Sequence, residues 1–404
     1  MGKFIATLML AVCISGSAHA ETGSSESPFS LRGFGTIGLA RSSSDHAEFV
    51  RDLSQPVGIK GGQWSGRIDS ILGLQANWQA TREIELVGQV VSRLHYDRSH
   101  NPELMWAFAK WEPDPRFSLR GGRIGADFMM LADSRLVGYS YLTVRPPTDF
   151  FGPLFFSHFD GTDASVTVPL GEGLFRSKFF FGRTYEKSAG ALGTWDTSGS
   201  PVRGIVLEYV TGPWQIRANA ARIRFAENMN TSDLTIPLRT VGVFIPEANT
   251  AADSLDTKNT TSNFLSLGLV YDNGPVQIQG MLNNIHHDAA IYQNSHAGYL
   301  LTSYRFGTVT PYLGLSRWKT QPRSSLPLLP APLDEAYQQY MTASKVDRVT
   351  YSIGVRYDFN THFALKTQFD FVRAGKGKDF SYRNSDSESN GKTNVLSVAL
   401  DFIF

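Results

Sequence analysis

Over most of this chain, hydrophobic and polar residues alternate with a period of two rather than 3.6. The final segment is the clearest: Leu396, Val398, Leu400, Phe402 and Phe404 share one face, and Ser397, Ala399 and Asp401 share the other. Tyr351, Ile353, Val355, Tyr357 and Phe359 alternate with Ser352, Gly354, Arg356 and Asp358. Phe363, Leu365, Phe369 and Phe371 alternate with Lys366, Gln368 and Asp370, and Leu265, Leu267, Leu269 and Tyr271 with Ser266, Gly268 and Asp272. Successive side chains of a strand point to opposite faces, so each segment predicts a strand with one oily and one wet side. A soluble sandwich makes the same pattern with its oily faces turned inward.

The connections decide between the two. Seven are tight and rich in Gly, Pro, Asn and Asp: Gln79–Arg82, Pro113–Arg116, Leu170–Gly173, Thr211–Pro213, Asp272–Pro275, Gly307–Thr308 and Asn360–His362. Between them lie eight long polar segments, near 41–65, 96–102, 125–160, 185–201, 226–261, 288–294, 319–347 and 374–392. Seven turns alternating with eight loops give sixteen strands, with both chain ends on the short-turn side. Segregation of long loops to one end is the habit of barrels that span an outer membrane. Aromatic residues also gather near the tight turns (Trp78, Trp111, Phe117, Phe175, Tyr209, Trp214, Tyr271, Phe306, Tyr312, Phe359 and Phe363), as rings do at a membrane boundary. The expected fold is therefore all-β: a transmembrane antiparallel barrel of sixteen strands, wide enough to enclose a channel.

Composition narrows the partners. Lys and Arg number 38 against 37 Asp and Glu, so no basic excess points to nucleic acid. No run of about 18 apolar residues exists to cross a membrane as a helix. The N-terminus has the layout of a cleaved secretory signal: Lys3, the apolar run Phe4 to Ile14, then Ala18-His19-Ala20 before Glu21. Residues 1–20 are accordingly expected to be removed, leaving 21–404 as one barrel domain. Cys13 is the only cysteine; Val12 before it is a poor residue for a lipidation box, and the exported part has no disulfide.

With these features the chain resembles the general diffusion porins of Gram-negative outer membranes. The resemblance is carried by the signal segment, by the terminal Val398-Ala399-Leu400-Asp401-Phe402-Ile403-Phe404, and by a long loop after strand five. It also touches poorly characterised proteobacterial porin-like proteins through Gly122-Arg123-Ile124, Asp133 to Tyr141 and Val144-Arg145-Pro146-Pro147. It implies a homotrimer in contact with lipid and lipopolysaccharide, with Phe402 and Phe404 as the signal for the barrel-insertion machinery. It further implies a third loop, 125–160, folded into the lumen, and no cofactor, metal or catalytic residue.

If the oily face meets lipid, the alternate residues line water. They include the basic residues Arg67, Arg93, Arg120, Arg176, Lys178, Arg217, Arg305, Arg356 and Lys366, and the acidic Asp69, Glu83, Glu85, Glu208 and Asp370. An Arg or Lys on the lipid face near mid-membrane would cost about 2–4 kcal/mol, so this placement favours a wet interior. The third loop offers Asp127, Asp133, Asp149 and Asp160 against Arg135 and Arg145. Facing the basic wall, these acids set a transverse field that sorts solutes, or they are ion pairs that simply fix the loop. Tyr139, Tyr141, Phe150, Phe151, Phe155 and Phe156 form either an aromatic track or the packing of that loop against the wall.

Three other patterns compete. Gly33-Phe34-Gly35-Thr36-Ile37-Gly38 has dinucleotide-fingerprint spacing, but a serine-rich loop follows where a helix is required. Ser157-His158-Phe159-Asp160 holds the residue types of a hydrolase triad at positions too close in sequence for its geometry. His286-His287 lacks a third ligand. A passive channel for small hydrophilic solutes and ions is the leading expectation. A substrate-selective channel, an outer-membrane hydrolase, and a receptor or adhesin using the fifth loop are the alternatives.

Overall fold

The computed structural model describes residues 27–190, 193–321, 329–379, 382–383 and 389–404. The expected signal segment, 1–20, lies outside the described residues.

Sixteen strands close on themselves. In chain order they are β1 Phe29–Ser42, β2 Ile71–Gln79, β3 Ile84–Ser92, β4 Glu103–Asp114, β5 Phe117–Gly125, β6 His158–Leu170, β7 Gly173–Thr184 and β8 Ser200–Thr211. The second half comprises β9 Trp214–Arg224, β10 Thr261–Asn273, β11 Val276–His287, β12 Ser295–Tyr304, β13 Val309–Thr320, β14 Val346–Asp358, β15 Phe363–Asp379 and β16 Lys392–Ile403. Each pairs antiparallel with its chain neighbours, and β1 pairs with β16 from Phe34↔Ile403 to Ser42↔Val395, which completes the ring. Closure leaves no strand edge in a solvent that offers no hydrogen bonds.

Seven connections of two to four residues alternate with the long loops, as the turn signals require. Three of the two-residue turns need a left-handed backbone, and Gly171, Gly212 and Gly274 supply it at φ +57°, +53° and +58°. The oily faces point outward: Ile37, Leu265, Leu282 and Leu313 are 56–63% exposed. Trp78, Trp111, Trp214, Phe306, Phe359 and Phe363 are exposed on that surface beside the short turns. Tyr312 departs from the expected girdle: it is buried inside, its hydroxyl donating to Gln368 Oε1 at 3.0 Å.

At the seam the outward positions of β1 are Gly33 and Gly35. A Cβ on Gly33 would fall 2.1 Å from the Phe404 ring, and one on Gly35 would fall 2.3 Å from the Phe402 ring. The glycines thus do not open a nucleotide site; they make room for the rings of the last strand.

The half of the interior towards the long loops is filled on one side. An apolar cluster joins inward residues of β5 to β14, among them Phe159, Phe180, Ile223, Phe264, Tyr299 and Trp318, to Phe128, Phe150, Phe155 and Phe156 of the third loop. Helices α1 (Thr148–Phe151, third loop), α2 (Ser232–Val241) and α3 (Pro246–Ser254, both fifth loop) and α4 (Leu333–Thr342, seventh loop) belong to this packing. In the seventh loop α4 reaches the fifth: Ser254 Oγ meets the Tyr337 hydroxyl at 2.8 Å. The first loop, between β1 and β2, also turns inward and buries Ala47, Phe49 and Ile59 against Val372 and Val395.

Candidate functional site: the loop-narrowed bore

The third loop leaves β5 and crosses the lumen, and charged wall residues meet it at several contacts. Asp127 pairs with Lys178 of β7 and Arg217 of β9. Met130 lies against Gly268 of β10. On the opposite wall the backbone of Gly138 approaches so closely that a Cβ would sit 2.1 Å from Thr36 Oγ1 and 2.3 Å from Asp401 Oδ1. Lys366 Nζ donates to the Gly138 carbonyl at 2.7 Å and to that of Thr143 at 3.1 Å, and pairs with Asp401 at 2.8 Å. Arg356 donates to the Tyr139 and Tyr141 carbonyls at 2.8 and 3.1 Å.

The return leg is held as firmly. Arg145 donates to both oxygens of Asp69 (2.9 and 2.6 Å), to Asp370 (3.0 Å) and to Ser397 Oγ (2.6 Å), and stacks over Phe49. Asp149 accepts from Arg348 Nε at 2.5 Å and Ser316 Oγ at 2.7 Å. Phe150 and Phe151 then stand against Tyr299, with ring centroids 5.1 and 6.0 Å away. The first loop braces the third from above: Arg51 donates to the Arg135 carbonyl (2.8 Å) and the Tyr141 hydroxyl (3.0 Å), and Leu53 N–H to the Gly152 carbonyl.

Loop acids and wall bases are therefore in direct contact at Asp127 and Asp149. Such buried pairs specify one loop position; their net stabilisation is small because desolvation offsets attraction. Burial works against the Asp127 charge, but Arg217 and Lys178 outweigh it and hold the carboxyl well below its usual range. Asp133 differs. It is half-buried and makes no hydrogen bond or ion pair among the described residues, and burial plus the neighbouring Asp127 charge raise its pKa. Burial pushes Arg135 down to about 10 and the Tyr141 phenol up to about 12. Phe150, Phe151, Phe155 and Phe156 are buried and pack the loop, whereas Tyr139 stays half-exposed below the Arg356 guanidinium.

Among the basic residues expected on the wall, Lys178, Arg217, Arg356 and Lys366 anchor the third loop, while Arg120 and Arg176 point into the lumen below it. Arg120 pairs with Asp163, and half-buried Arg176 reaches Ser165 Oγ at 3.4 Å. Three expectations fail on geometry. Arg67 is exposed on a turn ahead of β2, because that strand begins only at Ile71. Arg93 lies just beyond β3 in the second loop, bonded to Ser54 Oγ at 2.8 Å. Arg305 lies in the β12–β13 turn, paired with Asp272 at 2.9 Å. The list of wall charges also missed Arg51, Asp163, Arg348 and Asp401, of which Asp401 alone lies on a wet face named from the alternation.

A polar cleft of about 280 Å³ opens among Ser54, Arg93, His95, Tyr96, Glu103, Tyr185, Glu186 and Lys187. The triad-like residues beside it diverge: Ser157 Oγ accepts from Arg135 (2.7 Å), His158 faces Glu186, and Asp160 pairs with Arg123.

No family model and no curated protein matches the chain. Solved structures do. OmpF of Salmonella typhi, in complex with daunomycin, aligns at TM-score 0.57 and 10% identity over 93% of this chain and 97% of its own. An anion-selective porin from Comamonas acidovorans aligns at 0.53 and 12% over 93% and 99%. The trimer form of OmpT, an outer-membrane protein of Vibrio cholerae, aligns at 0.51 and 12% over 93% and 99%. At such identities the likeness is one of fold: a closed sixteen-stranded antiparallel barrel built as porins are.

Proposed function

We propose that this chain forms a channel in the outer membrane of a Gram-negative cell, exported by residues 1–20 and passing small hydrophilic solutes and ions down their gradients. One observation carries the reading. The barrel is oily outside and polar inside, and its third loop is clamped across the lumen by Asp127, Arg145 and Asp149. Half-buried polar residues, among them Gln75, Asn77, Glu85, Lys110, Arg176 and Glu208, line the interior towards the short turns.

A selective rather than general channel is favoured, because the first loop also folds inward and the apolar cluster takes up part of the outer lumen. The uncovered oily surface suits lipid, lipopolysaccharide and a second and third copy of the chain, and the exposed Phe404 suits recognition by the insertion machinery. Planar-bilayer recording of detergent-refolded protein tests the proposal. Stepwise currents that grow when the third loop is released support it; a silent bilayer with correctly folded protein refutes it.

A further inference from the structure

Four ligand-type side chains converge at the extracellular mouth, apart from the clamps of the third loop. Glu103 opens β4, His158 opens β6, Glu186 lies two residues beyond β7, and His95 sits in the second loop. Ligand atoms of Glu103, His158 and Glu186 all lie within 4.8 Å of one another. His158 is 2% exposed, and its Nδ1 has no hydrogen-bond partner among the described residues, although Glu186 Oε1 is 3.1 Å away. Glu103 Oε2 is likewise buried and without a hydrogen bond among the described residues. Glu103 Oε2 has only the longer contacts to Arg93 at 3.7 Å and His95 at 3.5 Å, and a buried imidazole nitrogen without a hydrogen bond is costly unless a further group satisfies it.

The surroundings orient both His95 and Glu186. The Glu186 carboxylate is fixed by the backbone N–H groups of Ser157 and His158, the latter at 2.7 Å. His95 Nε2 lies 2.8 Å from the Asn101 carbonyl, which can only accept, so Nε2 carries the proton. In the neutral ring the lone pair is then on Nδ1, 3.5 Å from Glu103 Oε2. An imidazole that donates its far N–H to a backbone carbonyl is oriented as metal-bound histidines are. Two donors each about 2.0–2.1 Å from one tetrahedral ion stand about 3.3 Å apart, and the separations of 3.1 and 3.5 Å bracket that value. The polar cleft supplies an entrance, since His95, Glu103 and Glu186 line it.

We infer that Glu103, His158 and Glu186, with His95 as a fourth donor, form a site for a divalent transition-metal ion. The mixed nitrogen and oxygen set suits zinc better than magnesium or calcium. The two carboxylates balance the charge of a dication. Arg93 donates to Ser54 Oγ through one nitrogen while the other stands 3.7 Å from Glu103 Oε2, too long for a hydrogen bond; Arg135 donates to Ser157 Oγ, and Lys187 lies 3.4 Å from Asp196. A bound ion would join the second loop, the fourth loop and the start of β6 into one rim.

The test is titration of metal-stripped, detergent-refolded full-length protein with Zn²⁺ by calorimetry, and with Co²⁺ by its visible d–d bands. One saturable equivalent and the bands of a four-coordinate Co²⁺ complex are expected. E103Q removes one ligand charge from an oxygen that makes no hydrogen bond, so its heat-modifiable gel mobility should stay that of the folded barrel while Zn²⁺ affinity falls at least tenfold. Should E103Q fail to fold, H95N serves the same purpose from the loop. H286N, which removes an exposed imidazole, should bind as wild type. Absence of saturable binding, wild-type affinity in the ligand variant, or loss of binding in H286N alone overturns the assignment. Binding, not current, is read, so the result is independent of the channel proposal.

Discussion

Replacing Arg145 by alanine tests how the third loop is held. The guanidinium is 1% exposed and serves Asp69 and Asp370, whose side chains are 1% and 4% exposed. Its loss leaves two buried carboxylates facing each other with no cation between them, and removes the donor to Ser397. Taking one partner from a buried ion pair destabilises by about 3–5 kcal/mol, and the second stranded acid places the expected value at the upper end of that range. Urea unfolding in detergent, followed by tryptophan fluorescence, measures the loss. The triple variant R145A/D69N/D370N keeps the shapes but discharges the pocket, so it should regain more than half of the lost stability. In bilayers R145A should show larger and noisier single-channel currents, because the return leg of the loop loses its strongest tether. An R145A barrel within about 1 kcal/mol of wild type, or a triple variant weaker than R145A, would refute the electrostatic argument.

Other substitutions probe the same loop from different sides. Gly138→Ala has no space for its methyl group between Thr36 and Asp401, so the loop tip should lift, and cleavage by added protease within residues 134–147 should accelerate. Asp127→Asn strands Lys178 and Arg217 without a full counter-charge; a loss of about 3 kcal/mol is expected by urea titration, since truncation of a buried pair has that size. In the wild type the lowered Asp127 pKa contributes stability that is present above the unfolded-state pKa and disappears as pH falls through the still lower folded value. Unfolding followed down a pH series below the usual carboxylate range should show this decline, and the decline should be shallower in Asp127→Asn. Asp133 has the opposite sign. Its raised pKa means the ionised form is disfavoured by folding, so Asp133→Asn should be at least as stable as wild type at neutral pH, while reversal potentials shift towards anions.

Much of the barrel could be read from the alternation because a strand with one face in lipid and one in water writes its period directly into the sequence. The seven tight turns carry their own chemistry. Loop positions carry no such period. Arg67 was placed on the wall because the second strand was started too early, and Arg93 and Arg305 fell just past strand ends where the alternation gives no stop signal. The inward fold of the first loop escaped because Phe49, Arg51 and Asp52 look like any polar loop until the third loop lies beneath them. The ionisable cluster at the mouth was invisible for a related reason: Glu103, His158 and Glu186 come from three separate segments, and only the β4–β7 neighbourhood brings them together.

The joint between the two ends of the chain has a further consequence. The last strand to be synthesised brings the two phenyl groups that cover the bare backbone of the first, so a truncated polypeptide would leave a gap that nothing upstream can fill. Sliding that joint by one position would swing both phenyl groups into the lumen and bare the hollows to lipid. Because the diameter of a closed sheet depends on strand number and stagger, this fit between the first and last strands helps set the calibre of the whole cylinder.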